Sequence, residues 1–123
     1  MNKRILIIED NAYIIEVLIK LLHLFGYEAV GIQSGSEALK RVDLTSYDAL
    51  FLDIHLSDMN GRELFRELVE RAGCCPSRII FMTGDLGNPE TLSFILESGC
   101  PWLEKPFTIT EMKALLRGLF DVR

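Results

Sequence analysis

The chain has 123 residues, enough for one domain with a real core, and no linker or repeat divides it. Apolar residues make up 49% and charged residues 25%, a globular profile that argues against disorder. The net charge of −5 without a basic cluster argues against direct nucleic-acid binding.

The first apolar run, Ile5-Leu6-Ile7-Ile8, follows Lys3-Arg4 but is cut short by Glu9-Asp10. It is too short for a secretory signal, and nothing in the sequence reaches the length of a membrane span, so a cytoplasmic location without membrane association is expected. The run is β-branched and continuous, which suits a strand buried on both faces. Asn11 can cap a first helix. In that helix Glu16, Lys20 and His23 form one narrow polar stripe. Ile14, Leu18, Leu21 and Phe25 are expected to face the sheet, leaving Tyr13, Ile19 and Leu24 partly exposed. A helix this apolar is either deeply covered or a docking face.

Glu28-Ala29-Val30-Gly31-Ile32 is a weaker, alternating second strand. Ser34 with Glu37 reads as a capping box for the second helix. Ala49-Leu50-Phe51-Leu52 is a third strand, ending in Asp53. Asn60 can cap a third helix. Ile79-Ile80-Phe81-Met82 is a fourth strand ending in Thr83-Gly84. Asn88-Pro89 opens a fourth helix that Gly99 stops. Trp102-Leu103 is a short fifth strand followed by Lys105-Pro106, and Thr108 with Glu111 reads as a capping box for the last helix. Alternating strands and helices predict an α/β domain with a parallel sheet covered on both faces. The common five-stranded, doubly wound, flavodoxin-like order is 2-1-3-4-5, with ligands at the carboxyl ends of strands 1 and 3.

Each strand expected near that crevice ends in a polar residue: Glu9 and Asp10, Asp53, Thr83, and Lys105 just past strand 5. Singly, an acid at a strand end is a turn or cap residue and a lysine a solvated charge. Together, three carboxylates on one rim repel, and a hard divalent cation relieves the repulsion. All-oxygen ligands suit Mg2+. A phosphoryl group beside it could place its remaining oxygens on Lys105 and the Thr83 hydroxyl, with Asp53 as the carboxylate nucleophile. A nucleotide site is not indicated, since neither GxxxxGKS/T nor GxGxxG occurs. Cys74, Cys75 and Cys100 lack metal-ligand or disulfide spacing and read as free thiols.

Four motifs in order, Glu9-Asp10, the segment from Asp53 to Gly61, Thr83-Gly84 and Lys105-Pro106-Phe107, resemble the receiver domain of two-component response regulators. The resemblance runs from Ile5 to about Leu119, a single receiver domain. It implies that Asp53 accepts a phosphoryl group from a histidine kinase or phosphotransfer protein. It implies Mg2+ held by Asp10, Asp53 and the backbone carbonyl of His55, with Glu9 acting mostly through water. It implies Lys105 on the phosphoryl group beside a cis Lys105-Pro106 bond. On phosphorylation Thr83 would swing toward the phosphate and Trp102 would turn inward. For Trp102 a plain core position is the alternative.

The His55 side chain either overhangs the site or is an exposed loop residue, and His23 is surface. Docking of the phosphodonor's helical bundle along helix 1, through Tyr13 and Ile19, is also implied. Ser57 stands where the family usually has proline, which is expected to loosen the loop. Trp102 replaces the usual tyrosine or phenylalanine. The shortened Gly99-Cys100-Pro101-Trp102 stretch and the Leu103-Glu104-Lys105-Pro106-Phe107 ending resemble receivers of hybrid sensor kinases.

Apart from its own phosphotransfer and autodephosphorylation, no enzymatic turnover is expected. A non-phosphorylated pseudo-receiver is the main alternative. A small Mg2+-dependent phosphatase is a weaker one, because His55 stands where that chemistry wants a second aspartate. Homodimerisation through helix 4, strand 5 and helix 5 is compatible with the family. With no DNA-binding domain after Arg123, a stand-alone receiver or an excised one is expected.

Overall fold

The structure, a computed structural model, describes residues 2–41 and 43–121. Five parallel strands, β1 (Arg4–Ile8), β2 (Glu28–Ile32), β3 (Ala49–Asp53), β4 (Ile79–Thr83) and β5 (Trp102–Glu104), form one sheet in the order β2-β1-β3-β4-β5. The helices are α1 (Ala12–Leu24), α2 (Gly35–Lys40), α3 (Gly61–Glu70), α4 (Pro89–Ser98) and α5 (Ile109–Phe120). The doubly wound topology expected from the sequence is therefore the observed one.

Strand periodicity sorts the apolar runs into two cores. Ile5, Ile7, Phe51, Ile80 and Met82 face α1 and α5, where they meet Ile15, Leu18, Leu22, Met112 and Leu116. Leu6, Ile8, Leu50, Leu52, Ile79 and Phe81 face α2, α3 and α4, meeting Ala38, Leu64, Leu68 and Ile95. Strands β1, β3 and β4 are thus buried on both faces, which is why their sequences run apolar without alternation.

The helix starts follow the capping chemistry. Asn11 Oδ1 accepts the Tyr13 and Ile14 amides, Asn60 Oδ1 the Arg62 amide, and Asn88 Oδ1 the Glu90 and Thr91 amides. Thr108 and Glu111 form a complete capping box. At α2 only half of the expected box is made: Ser34 Oγ accepts the Glu37 amide. Gly99 ends α4 with φ of 74°, the left-handed conformation in which a Cβ is costly.

One face assignment changes. The buried stripe of α1 is Ile15, Leu18 and Leu22, whereas Ile14, Leu21 and Phe25 are only half-buried. The helix is turned toward β2, where Gly31 has no side chain and Ile15 fills the space that a Cβ would occupy. Ile19 is also half-buried against this core, while Tyr13 and Leu24 are exposed at 73% and 80%.

Candidate functional site

The parallel register sets the ends of β1 and β3 side by side, with Ile8 opposite Leu52. The chain then delivers Glu9 and Asp10 from β1 and Asp53 from β3 to one rim. One carboxylate oxygen of each lies within 4.8 Å of the others, a grouping able to hold a cation. Glu9 and Asp53 are buried and Asp10 is half-buried. Lys105 reaches the same point from beyond β5. Its Nζ donates to Glu9 Oε1 at 2.8 Å and to Asp53 Oδ2 at 3.2 Å. The Lys105 amide also donates to the Thr83 carbonyl at 2.6 Å, tying the lysine loop to the end of β4, and the Lys105-Pro106 peptide is cis as expected.

The electrostatics are those of too many acids around one ammonium. Burial pushes the Glu9 carboxyl above its ordinary pKa and the Asp53 charge adds to the rise; bonds from Lys105 and the Asn11 amide oppose it. Burial also works against the Lys105 ammonium. The Glu9 hydrogen bond and the fields of Asp53 and Glu9 outweigh it, so its pKa lies above the ordinary lysine value. Both oxygens of Glu9 have protein partners, Lys105 Nζ and the Asn11 amide, whereas among the described residues Asp10 has a partner at Oδ2 alone, the Ser57 amide. Largely buried, all-oxygen and short of positive charge, the three acids fit a hard cation such as Mg2+.

Around the acids, the His55 amide donates to Asp53 Oδ1 at 3.0 Å. The His55 side chain is exposed, and its Nε2 lies 3.3 Å from Asp85 Oδ2. It therefore spans from the β3–α3 loop to the β4–α4 loop at the mouth of the site. Thr83 is fully buried, and its Oγ1 accepts the Asp85 amide at 3.0 Å. Trp102 is 38% exposed on the outer edge strand, in register with Phe81. The plain core position is thereby excluded. His23 is exposed on α1, as expected of a surface residue.

The β3–α3 loop departs from expectation. The Ser57 substitution does not leave it loose. The Ser57 amide donates to Asp10 Oδ2, and the Asp58 carboxylate accepts the Gly35 and Ser36 amides, each at 3.0 Å. These two backbone bonds hold the Asp58 carboxyl below its ordinary pKa. Asp58 and Asp85 are the residues that sequence reasoning missed. Both sit in loops where a lone acid reads as a turn residue, and their partners come from elements distant in the chain.

Comparison with known proteins agrees with this geometry. The family model described as the response regulator receiver domain matches residues 5–117. The transcriptional regulatory protein CrdR of Helicobacter pylori is 27% identical over 121 residues, covering 98% of this chain and 56% of that protein. The hybrid signal transduction histidine kinase L of Dictyostelium discoideum is 29% identical over 120 residues, covering 93% of this chain but only 7% of that protein. The chain spans about half the length, or less, of the curated relatives it matches first. Among solved structures, the receiver domain of a Pseudomonas aeruginosa sensor histidine kinase, with a magnesium ion coordinated in its active-site cleft, superposes with a TM-score of 0.83. It is 26% identical, and the match covers 99% of this chain and 100% of that one. A response regulator of Chloroflexus aurantiacus gives a TM-score of 0.84 at 26% identity, covering 99% and 100% of the two chains. With the matched segment taking in all four strand-end motifs, the chain belongs to the response regulator receiver domain family.

Proposed function

We propose that this chain is a phosphorylatable receiver, a single unit in which Asp53 accepts a phosphoryl group from a histidine kinase or phosphotransfer protein. The observation that carries this reading is the Lys105 ammonium held between Glu9 and Asp53, with Asp10 beside them. A pseudo-receiver has no use for a half-buried lysine shared by two buried acids, an arrangement that costs desolvation.

Asp10, Asp53 and the His55 carbonyl would hold Mg2+, with Glu9 at one remove; bound there, the ion supplies charge neutralisation for the incoming phosphoryl oxygens. A carboxylate oxygen of Asp53 forms the new O–P bond, and the P–N bond to the donor imidazole breaks, its electron pair staying on the nitrogen. Lys105 leaves its carboxylate partner for a phosphoryl oxygen, and the Thr83 hydroxyl takes another. To do so Thr83 gives up the Asp85 amide, and Trp102, 38% exposed at the sheet edge, would turn toward the position Thr83 vacates. The product is an aspartyl phosphate. In a test with Mg2+ and acetyl phosphate, the wild type should gain one phosphate in mass, in a form released by hydroxylamine, and Asp53→Asn should gain none. An unmodified wild type, or full labelling of Asp53→Asn, would favour the pseudo-receiver.

The partner face follows from α1. Ile14, Val17, Leu18 and Leu21 with Pro106 and Phe107 border an apolar groove of about 420 Å3 that ends at Lys105. A helical phosphodonor lying there would bring its histidine toward Asp53. Tyr13 remains part of this face because it is exposed; Ile19 is half-buried against the core and is a poorer contact than Val17. Replacing Tyr13 or Val17 by Glu should slow transfer from a histidine donor by roughly tenfold, the loss of one good interface contact, while leaving acetyl phosphate labelling intact. Unchanged donor transfer would remove α1 from the interface.

A further inference from the structure

The loop after Asp53 is suspended between two anchors, and one of them is a proposed metal ligand. At one end the Ser57 amide donates to Asp10 Oδ2 at 3.0 Å. At the other, Asp58 Oδ1 and Oδ2 accept the Gly35 and Ser36 amides at the start of α2. Met59 closes over the same helix start: a Cβ on Gly35 would sit 2.5 Å from its sulfur. Asp10 is held from a second side by Gln33, whose Nε2 donates to the Asp10 carbonyl at 3.2 Å. Asp10 is thus held at its carboxylate by one bond and at its backbone by another.

We propose that Ser57 and Asp58 are positioning residues for Mg2+ binding. The Ser57 amide fixes one oxygen of Asp10 and leaves the other for the cation, and Asp58 fixes the loop that carries this amide. The inference rests on the reading of Glu9, Asp10 and Asp53 as a Mg2+ site. Its chemistry depends on the backbone at position 57. Proline, lacking an N–H, cannot make this bond, whereas any other residue can. The chain therefore exchanges the covalent stiffness of a proline for a hydrogen-bonded clasp that reaches the metal ligand itself. A hydrogen bond to a ligating carboxylate orients it before the ion arrives, so less ordering remains to be done on binding.

The test compares Ser57→Pro, Ser57→Ala and Asp58→Ala in Mg2+ titrations by calorimetry without a phosphodonor, together with amide hydrogen exchange at position 57 where an amide remains. Removing an outer-shell partner typically weakens metal affinity about tenfold or more, so Ser57→Pro should bind Mg2+ roughly tenfold more weakly than Ser57→Ala. Asp58→Ala should weaken binding in the same direction and speed exchange of the Ser57 amide. If Ser57→Pro does not fold, Asp58→Ala carries the test alone. Equal affinities in Ser57→Pro and Ser57→Ala, or wild-type affinity with an unchanged Ser57 amide in Asp58→Ala, would overturn the positioning role. A wild type that binds no Mg2+ would overturn the metal-site reading, and the positioning role with it.

Discussion

Lys105→Ala should lower acetyl phosphate labelling of Asp53 by about a hundredfold or more, the usual cost of deleting one charge-stabilising donor from a reacting centre. The same substitution should destabilise the metal-free protein at neutral pH. It leaves Glu9, buried and flanked by Asp53, without its Lys105 ammonium partner. Breaking a fully buried ion pair costs about 3–5 kcal/mol; with 28% of the Lys105 side chain exposed, a loss of about 2 kcal/mol is expected. The deficit should depend on pH in a defined direction. The Glu9 carboxyl is raised in the folded state by burial and by Asp53, and losing Lys105 raises it further. A folded-state pKa above the unfolded one means that the folded protein binds the proton more readily. The associated stability is fully present below the ordinary carboxylate range and is lost as pH rises through the folded-state value. The variant should therefore approach the wild type as pH falls and diverge from it toward pH 7. Added Mg2+ should narrow the gap at neutral pH by supplying the missing charge. Denaturant titrations across pH, with and without Mg2+, measure all of this. A deficit that grows on acidification would contradict the assigned role of Glu9.

Much of this site was legible because its signals are local. Continuous apolar runs named the central strands, and the residue after each run named the site. Asn11, Asn60, Asn88 and Thr108 declared helix starts through side-chain chemistry that needs no tertiary partner. What could not be read depends on contacts remote in sequence. The phase of α1 is hidden because the helix is apolar over most of its surface, and its orientation depends on remote contacts such as that of Ile15 with the bare backbone of Gly31. The bond from Lys105 to Glu9 spans 96 positions, and those from Asp58 to Gly35 and Ser36 span 23 and 22. Reading Ser57 as a loosened proline failed for a related reason. A side-chain comparison says nothing about the backbone N–H that replacement of proline restores, and here that group finds Asp10.

Gly61→Ala is expected to be the most damaging methyl addition in the chain. Its φ is not positive, so conformational strain is not the cause. The cause is proximity. A Cβ at position 61 would press on the Ile54 carbonyl oxygen and lie 2.6 Å from Ile54 Cα and 2.8 Å from its carbonyl carbon. These are backbone atoms one residue from Asp53, held in place by the Gly61 amide donating to the Ile54 carbonyl at 3.0 Å and by the Ile54 amide donating to Met82. Neither side can yield without moving the first turn of α3 or the end of β3. In open space the change to alanine would favour a helix by up to about 1 kcal/mol. Overpacking against atoms that cannot repack should reverse the sign and cost about 3 kcal/mol. In a domain of this size that corresponds to a fall in Tm on the order of 10 °C. Gly35→Ala is the informative control, because the nearest atoms its Cβ would meet, the sulfur and Cγ of Met59 and then Cδ2 of Leu64 at 3.2 Å, belong to side chains and not to backbone. Thermal unfolding should rank Gly61→Ala well below Gly35→Ala, and labelling of Asp53 should fall in Gly61→Ala even at temperatures where the variant is folded. Equal melting temperatures for the two variants would mean that the end of β3 is not held where the phosphoacceptor requires it.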